Sequence, residues 1–338
     1  MKHFWKKSLA LIFTSSIVLS ACASTESGTP EKSAGGLKDK KMFTIGVTQI
    51  VEHPSLDAAF DGFKDAIAES GLKDNVKYTV QNAQGDASSN TTIAKNLVSF
   101  NVDLIFANST PSAQAALSST KLIPIVFTSV TDPVGAELVK SMDQPGNNIT
   151  GTVDSHPDAI PKTLKFMKEQ LNVKNVGLIY NAGEQNSRAQ VDNVKKIMDE
   201  IGGMKAVEAS VATSADVKQA AESLVGKIDA YYIVTDNTVV SAFESVVGVA
   251  NEQHIPLLAS EFDSVKRGAF AAYGFEYYDI GHEAGEMAAK ILKGEKKPSE
   301  LPVQLPQNLK LVINKKAAKA MGIELKPEWD DMAEYVEN

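Results

Sequence analysis

The chain writes the same strand–helix alternation twice. From Phe43, "FTIGVTQI" reads as a strand and "SLDAAFDGFKDAIAESG" as an amphipathic helix with Leu56, Phe60, Phe63 and Ile67 on one face, stopped at Gly71. "YTVQNAQ", "SSNTTIAKNLVSF", "VDLIFAN", "STPSAQAALSS" and "IPIVFTSV" continue the pattern, with a short helix opened by Asp132 and Pro133. It then restarts. "VKNVGLIYN" is a strand and "SRAQVDNVKKIMDEIGG" a helix, followed by "MKAVEASVA", "SADVKQAAESLVG", "IDAYYIVTDN", "TVVSAFESVVGVANEQ" and "IPLLASEF". The 25-residue interval from Gly46 to Gly71 recurs from Gly177 to Gly202, Val102–Asp103 is echoed by Ile228–Asp229, and Ile123–Pro124 by Ile255–Pro256. So long a period makes a pair of lobes, not a solenoid. Alternating strands and helices imply an α/β fold: two similar Rossmann-like lobes with parallel sheets covered on both faces.

Past the second lobe, "GAFAAYGFEYYDIG" reads as a strand and turn leading into the helix "HEAGEMAAKILKG", and "LPVQLPQNLKLVIN" with "KKAAKAMGI" closes the chain. The chain is therefore expected to cross between lobes more than once, through a multi-strand hinge. Lobe 1 takes residues 43–152 plus about 281–303, and lobe 2 takes 153–280 plus about 304–338.

Ahead of the lobes, "MKHFWKK" is cationic and "SLALIFTSSIVLSA" apolar, too short for a membrane span of about 20 residues. "LSAC" follows, ending at Cys22, the only cysteine. The pattern resembles a bacterial lipobox: residues 1–21 a signal peptide, cleavage before Cys22, and lipidation of its thiol and new amine. A plain secretory signal with an incidental cysteine is the other reading. An exported chain with one cysteine has no internal partner for it, and two or more acyl chains make a stable anchor. Residues 22–42, rich in Ser, Gly, Lys and Glu, read as a tether. These features imply an extracytoplasmic protein anchored to the bacterial cell membrane by lipid. The formal charge of −8 becomes −11 when Lys2, Lys6 and Lys7 leave with the signal, which excludes a nucleic-acid partner that would need a basic face.

Paired α/β lobes take ligands outside the carboxyl ends of their strands. There, Thr110 is a natural N-cap with Pro111 at the first helical position, and Ser109 adds a hydroxyl. Free amides and the helix dipole suit a carboxylate or phosphate. Lobe 1 also offers Thr48, Gln49, Thr128 and Ser129; lobe 2 offers Tyr180, Asn181, Glu184, Asn186, Ser187, Asp236 and Asn237. Asp236 stands in the repeat where Thr110 stands in lobe 1. Hydroxyls and amides on one lobe and a carboxylate on the other complement a zwitterion, although simple helix capping also accounts for Thr110 and Asp236. On this reading Asp236→Ala is expected to cost amino-acid binding and leave folding intact.

Catalysis finds little support. The sequence has no GxSxG elbow, P-loop or GxGxxG after a strand, and Asp61 and Asp65 lie on an exposed helix face. His3 leaves with the signal, and His53, His156, His254 and His282 lack ligand spacing and a cysteine partner, so neither metal nor cofactor is expected. His53 is a candidate for the cleft. Tyr180, Phe127, Tyr273 and Phe275 are aromatic candidates for its wall, and Trp329 is expected to pack the tail.

Taken in order, "VEHPSLD", "NAQGD", "FTSVTDP", "NITGT", "YNAGEQNS", "IDAYYIVTDN", "YYDIG" and "LVIN" resemble the solute-binding lipoproteins of ABC importers in the TrpX-like group, from about Phe43 to Glu324. The resemblance implies a type I periplasmic-binding-protein fold with three hinge strands and an aromatic amino acid, tryptophan or phenylalanine, as ligand. It implies Ser109, Thr110, Thr128 and Ser129 on the carboxylate and Asp236 on the ammonium. Glu184, Asn186 and Ser187 match the family's "GExNS" pattern and would meet the ligand or the closing lobe. ABC permease and ATPase subunits would be the partners of a monomeric protein that closes on its ligand. A sensory, receptor-coupled binding protein for another small polar ligand is the alternative on the same fold.

Overall fold

In the computed structural model, residues 42–337 are described. The first sheet and its helices run β1 (Phe43–Gln49), α1 (Pro54–Ile67), β2 (Val76–Asn82), α2 (Ala87–Ser99), β3 (Leu104–Asn108), α3 (Thr110–Ser119), β4 (Ile125–Val130) and β5 (Ile149–Val153). The chain then crosses to α4 (Ala159–Leu171), β6 (Asn175–Asn181), α5 (Gln185–Ile201), β7 (Lys205–Val211), α6 (Val217–Leu224), β8 (Ala230–Ile233), α7 (Asn237–Ser241), α8 (Phe243–Gln253), β9 (Leu257–Ala259), α9 (Phe262–Lys266) and β10 (Ala271–Gly274). It returns for α10 (Tyr277–Leu292) and leaves again for β11 (Lys310–Asn314), α11 (Lys315–Ala320) and β12 (Ala333–Val336).

The five-stranded sheet has the order β2-β1-β3-β4-β5 and the seven-stranded one β12-β11-β10-β9-β8-β6-β7. Every pairing is parallel except β10 with β11. Strands β1, β3, β4 and β5 of the first sheet are buried on both faces because both are covered, while the edge strand β2 is half-exposed. Ile45, Val47, Leu104 and Phe106 pack on one side with Phe63 and Ala288, while Ile105, Ala107, Ile125 and Phe127 pack on the other with Leu56 and Leu117. The inner strands of the second sheet, β6, β8, β9, β10 and β11, lie in one continuous core, while its edge strands β7 and β12 are partly exposed.

Three local expectations are corrected. Asp132 and Pro133 open a turn, not a helix: the Asp132 carboxylate accepts from the Gly135 amide at 2.8 Å, and Glu137 sits at φ 58°, which no helix continues through. "TVVSAFESVVGVANEQ" is two helices broken at Ala242 (φ −118°, ψ 28°). The last long helix starts at Tyr277, ahead of the expected His282, with no intervening turn. The third crossing lies along β5, where Gln304 donates to the Gly151 carbonyl at 3.0 Å and accepts from the Val153 amide at 3.0 Å.

Helix α10 is pressed onto α1 at glycines. A Cβ at Gly281 would lie 1.9 Å from the Ala59 carbonyl oxygen, and one at Gly62 would lie 2.1 Å from that of Tyr278. Gly281→Ala is therefore expected to destabilise the fold by roughly 1–3 kcal/mol through overpacking, read as a lower urea midpoint.

Candidate functional site

The carboxyl ends of the two sheets face each other, and the site is assembled from helix starts at those ends. On lobe 1, His53 caps α1 from an extended backbone, its Nδ1 accepting weakly from the Leu56 amide at 3.5 Å, and Pro54 follows at the first helical position. Ser129, at φ 56°, ends β4 and donates to Asn108 Oδ1 at 2.9 Å. On lobe 2, Asp236 caps α7: one oxygen accepts from the Val239 amide at 2.7 Å, the other from the Asn181 amide at 2.6 Å. Glu261 caps α9, accepting from the Ser264 amide at 2.9 Å. The crossings add Asp154 and Tyr277, whose phenol donates to the Asp154 carboxylate at 2.8 Å.

These side chains, with Ser55, Leu56, Thr235, Asn237 and Val240, surround a cavity of about 10 Å³. Beside it lies a larger one of about 370 Å³, which shares Asp154 and touches all three crossings through Ser155, Phe275 and Leu305. The lobes are latched between them. Gln190 Nε2 donates to Thr235 Oγ1 at 2.6 Å and to Thr131 Oγ1 at 3.2 Å, and the two threonine hydroxyls lie 3.4 Å apart.

The small cavity is acidic and holds no lysine or arginine in its lining. Asp154, Asp236 and Glu261 are all buried. Burial, reinforced by Glu184, pushes Asp236 up to about 7. Burial and the neighbouring Asp263 push Glu261 up to about 7. Burial also raises Asp154, against hydrogen bonds from Thr131 and Tyr277. His53 goes the other way: burial, then the Arg267 charge, lower it to about 3, so the imidazole is neutral. Among the described residues no three His, Cys, Asp or Glu side chains converge as a metal site.

Of the residues singled out from sequence, Ser129, Asp236, Asn237 and His53 line this cavity. Glu184, Asn186 and Ser187 stand behind it as supports. Glu184 accepts from Asn237 Nδ2 at 2.5 Å and the Thr238 hydroxyl at 2.9 Å, Asn186 donates to the Thr235 carbonyl at 3.1 Å, and Ser187 donates to Asp236. The others lie outside its lining, held in internal hydrogen bonds. Thr48 donates to Asn90 at 3.3 Å, Gln49 bridges Asp57 and Asn108, Thr128 accepts from Thr152 at 2.9 Å, and Thr110 accepts from the Thr131 amide at 3.4 Å. Ser109, not Thr110, is the N-cap of α3, at φ 126°, and Pro111 is the second helical residue. Tyr180 points away, donating to Glu208 at 2.9 Å. Of the other aromatic candidates, Phe127 is core, Tyr273 packs on Phe166, and Phe275 lies 5.9 Å from Tyr277 in a stack.

The sequence reading did not select Ser55, Asp154, Thr235, Glu261 or Tyr277. One signal was available: in the repeat register that aligns Ile123–Pro124 with Ile255–Pro256, Ser129 falls on Glu261.

The family model for ABC transporter substrate binding proteins matches residues 44–336. The chain belongs to that family. This substrate-binding protein is 42% identical over 325 residues to the tyrosine-binding protein of Clostridioides difficile (strain R20291), covering 94% of this chain and 93% of that one. Two solved structures bear on its shape. An ABC domain from Streptococcus pneumonia in complex with L-Trp is 34% identical, covering 88% of this chain and all of the other, with a TM-score of 0.83. The ligand-free, open structure of a substrate-binding protein with adhesive properties from Clostridium difficile is 42% identical, covering 88% and 99%, with a TM-score of 0.65. The architecture is the type I periplasmic-binding-protein fold. The more similar sequence, solved open and without ligand, superposes less well than the L-Trp complex.

Proposed function

We propose that this substrate-binding protein captures a zwitterionic aromatic amino acid (tryptophan, tyrosine or phenylalanine) between its lobes and delivers it to the permease and ATPase of an ABC importer. The observation that carries the proposal is the set of three buried carboxyl groups, Asp154, Asp236 and Glu261, in a cavity lined by no cationic side chain. Such a set is costly until a ligand brings a positive charge, because buried carboxylates need a partner. An α-ammonium supplies one. The ligands named for the C. difficile and S. pneumonia relatives support the aromatic class, and Tyr277 and Phe275 offer rings beside the acidic pole.

Closure would bring Thr235, Asp236 and Asn237 onto a ligand seated against lobe 1, a hinge motion that hides it from water and presents the closed form to the transporter. Cys22 and the tether lie outside the described residues. We assign to them the lipid anchor that holds an extracytoplasmic protein at the membrane; among the described residues no helix is long and apolar enough to cross one.

Thermal denaturation against each of the twenty amino acids tests the ligand class. A ligand that binds only the folded form adds about 2.7 kcal/mol of stability at a hundredfold excess over its Kd. A large shift confined to tryptophan, tyrosine or phenylalanine is expected, and no shift with any amino acid overturns the reading.

A further inference from the structure

We propose that the N-terminus of α1, with the hydroxyl of Ser55, holds the carboxylate of the ligand; this rests on the zwitterion reading and places the ligand's second pole. Ser55 is 1% exposed, it lines the small cavity, and its Oγ has no hydrogen-bond partner. A buried hydroxyl without a partner is costly unless something occupies the position opposite it.

The backbone around it has the same need. Helix α1 has fourteen residues, and its first, Pro54, carries no N–H, so the amides of Ser55 and Leu56 are its leading donors. The Leu56 amide has only the long contact to His53, and the positive end of the helix dipole lies at this position.

The rest of the wall argues by exclusion. Asp154, Asp236 and Glu261 would repel a carboxylate, which leaves the lobe 1 face. On that face the Ser129 hydroxyl hydrogen is given to Asn108, and Thr110 and Thr128 are bonded elsewhere, outside the lining. Ser55 alone among these hydroxyls is uncommitted. A ligand lying between α1 and the three carboxyl groups would be oriented by both ends, carboxylate toward lobe 1 and ammonium toward lobe 2 and the crossings.

The test compares L-tyrosine with tyramine, and L-tryptophan with tryptamine, by calorimetry on the full chain. The amines keep ring and ammonium and lack the carboxylate. Ser55→Ala is expected to weaken amino-acid binding about tenfold, the effect of losing one hydrogen bond to a charged group, and to leave amine binding unchanged. Ser55→Asp is expected to abolish amino-acid binding and to strengthen amine binding. Retained amine binding shows that each variant is folded. Equal losses for acid and amine, or unchanged affinity for the acid, overturn the placement at Ser55. Failure of the unaltered chain to bind either amino acid overturns the aromatic amino-acid reading itself, and this placement with it.

Discussion

Affinity for an amino acid should fall by nearly two orders of magnitude, about 80-fold, between pH 7.5 and pH 5, while the unliganded protein becomes more stable over the same change. Both effects come from the same carboxyl groups. Asp236 and Glu261 lie near 7 before a ligand arrives, so an ammonium must find one ionised. Below 7, each pH unit costs about a factor of ten per group that has to release its proton. Asp154, raised by burial, acts in the same direction. Of the other titratable groups in the lining, His53 is neutral throughout, lowered to about 3, and Tyr277 stays protonated, raised well above its ordinary value by burial and then the Asp154 charge. The ligand's own carboxyl, held low by its neighbouring ammonium, stays ionised in this window. Without ligand the sign reverses. The unfolded chain releases these protons near pH 4 and the folded one near 7, so between those values the folded state holds more protons and loses stability as pH rises. Calorimetry in buffers of different ionisation enthalpy should show proton release on binding at pH 7, and urea midpoints should be higher at pH 5 than at pH 8. Affinity that is flat from pH 5 to 7.5 would show that neither Asp236 nor Glu261 meets the ammonium.

Glu261→Gln should separate binding from folding more cleanly than any change at Asp236. The glutamine oxygen can still accept from the Ser264 amide and keep the start of α9 in place. The charge, however, is gone, and removing one member of a buried charge pair costs about 2–5 kcal/mol, roughly thirtyfold to several thousandfold in Kd. The same variant should be more stable than the parent at pH 8 without ligand, since an uncompensated buried carboxylate is removed. Asp236→Ala, expected from sequence to leave folding intact, should now damage both. Its carboxylate caps α7 and holds the Asn181 amide at the end of β6. A lost cap costs about 0.5–2 kcal/mol and a stranded buried amide a further 1–3. Titration with amino acid and denaturant melts of the two variants side by side check this. If Glu261→Gln binds like the parent, the ammonium belongs to Asp154 or Asp236.

Much of the architecture was legible because it is written in periodicity. A strand such as "VDLIFAN" is apolar at consecutive positions since Phe106 packs toward one layer of helices and Ile105 toward the other. The failures were local and chemical. Asp132–Pro133 looks like a helix start until its carboxylate bonds Gly135 and closes a turn. At the site, residue type was visible and direction was not. Thr48, Gln49 and Thr128 end strands as Ser129 does, but in a sheet covered on both faces most polar side chains turn inward and find partners there. Asp236 was found through the repeat, and Glu261 was reachable by the same register from Ser129. Asp154 and Tyr277 were not reachable, because they meet only where two crossings far apart in sequence come together at 2.8 Å.

The crossings also set the order in which the protein can be made. The first sheet is complete at Val153, yet the layer that seals Ile45 and Phe106 needs Ala284, Met287, Ala288 and Leu292. The second sheet needs β11 and β12, and its core waits for Trp329, which packs 5.3 Å from Phe166 and 5.8 Å from Phe270. Contacts of such long sequence separation form late and slow folding. Delivered N-terminus first from a ribosome, neither half can complete its core before its distant segment emerges. Both cores are therefore completed only when the last segments of the chain arrive.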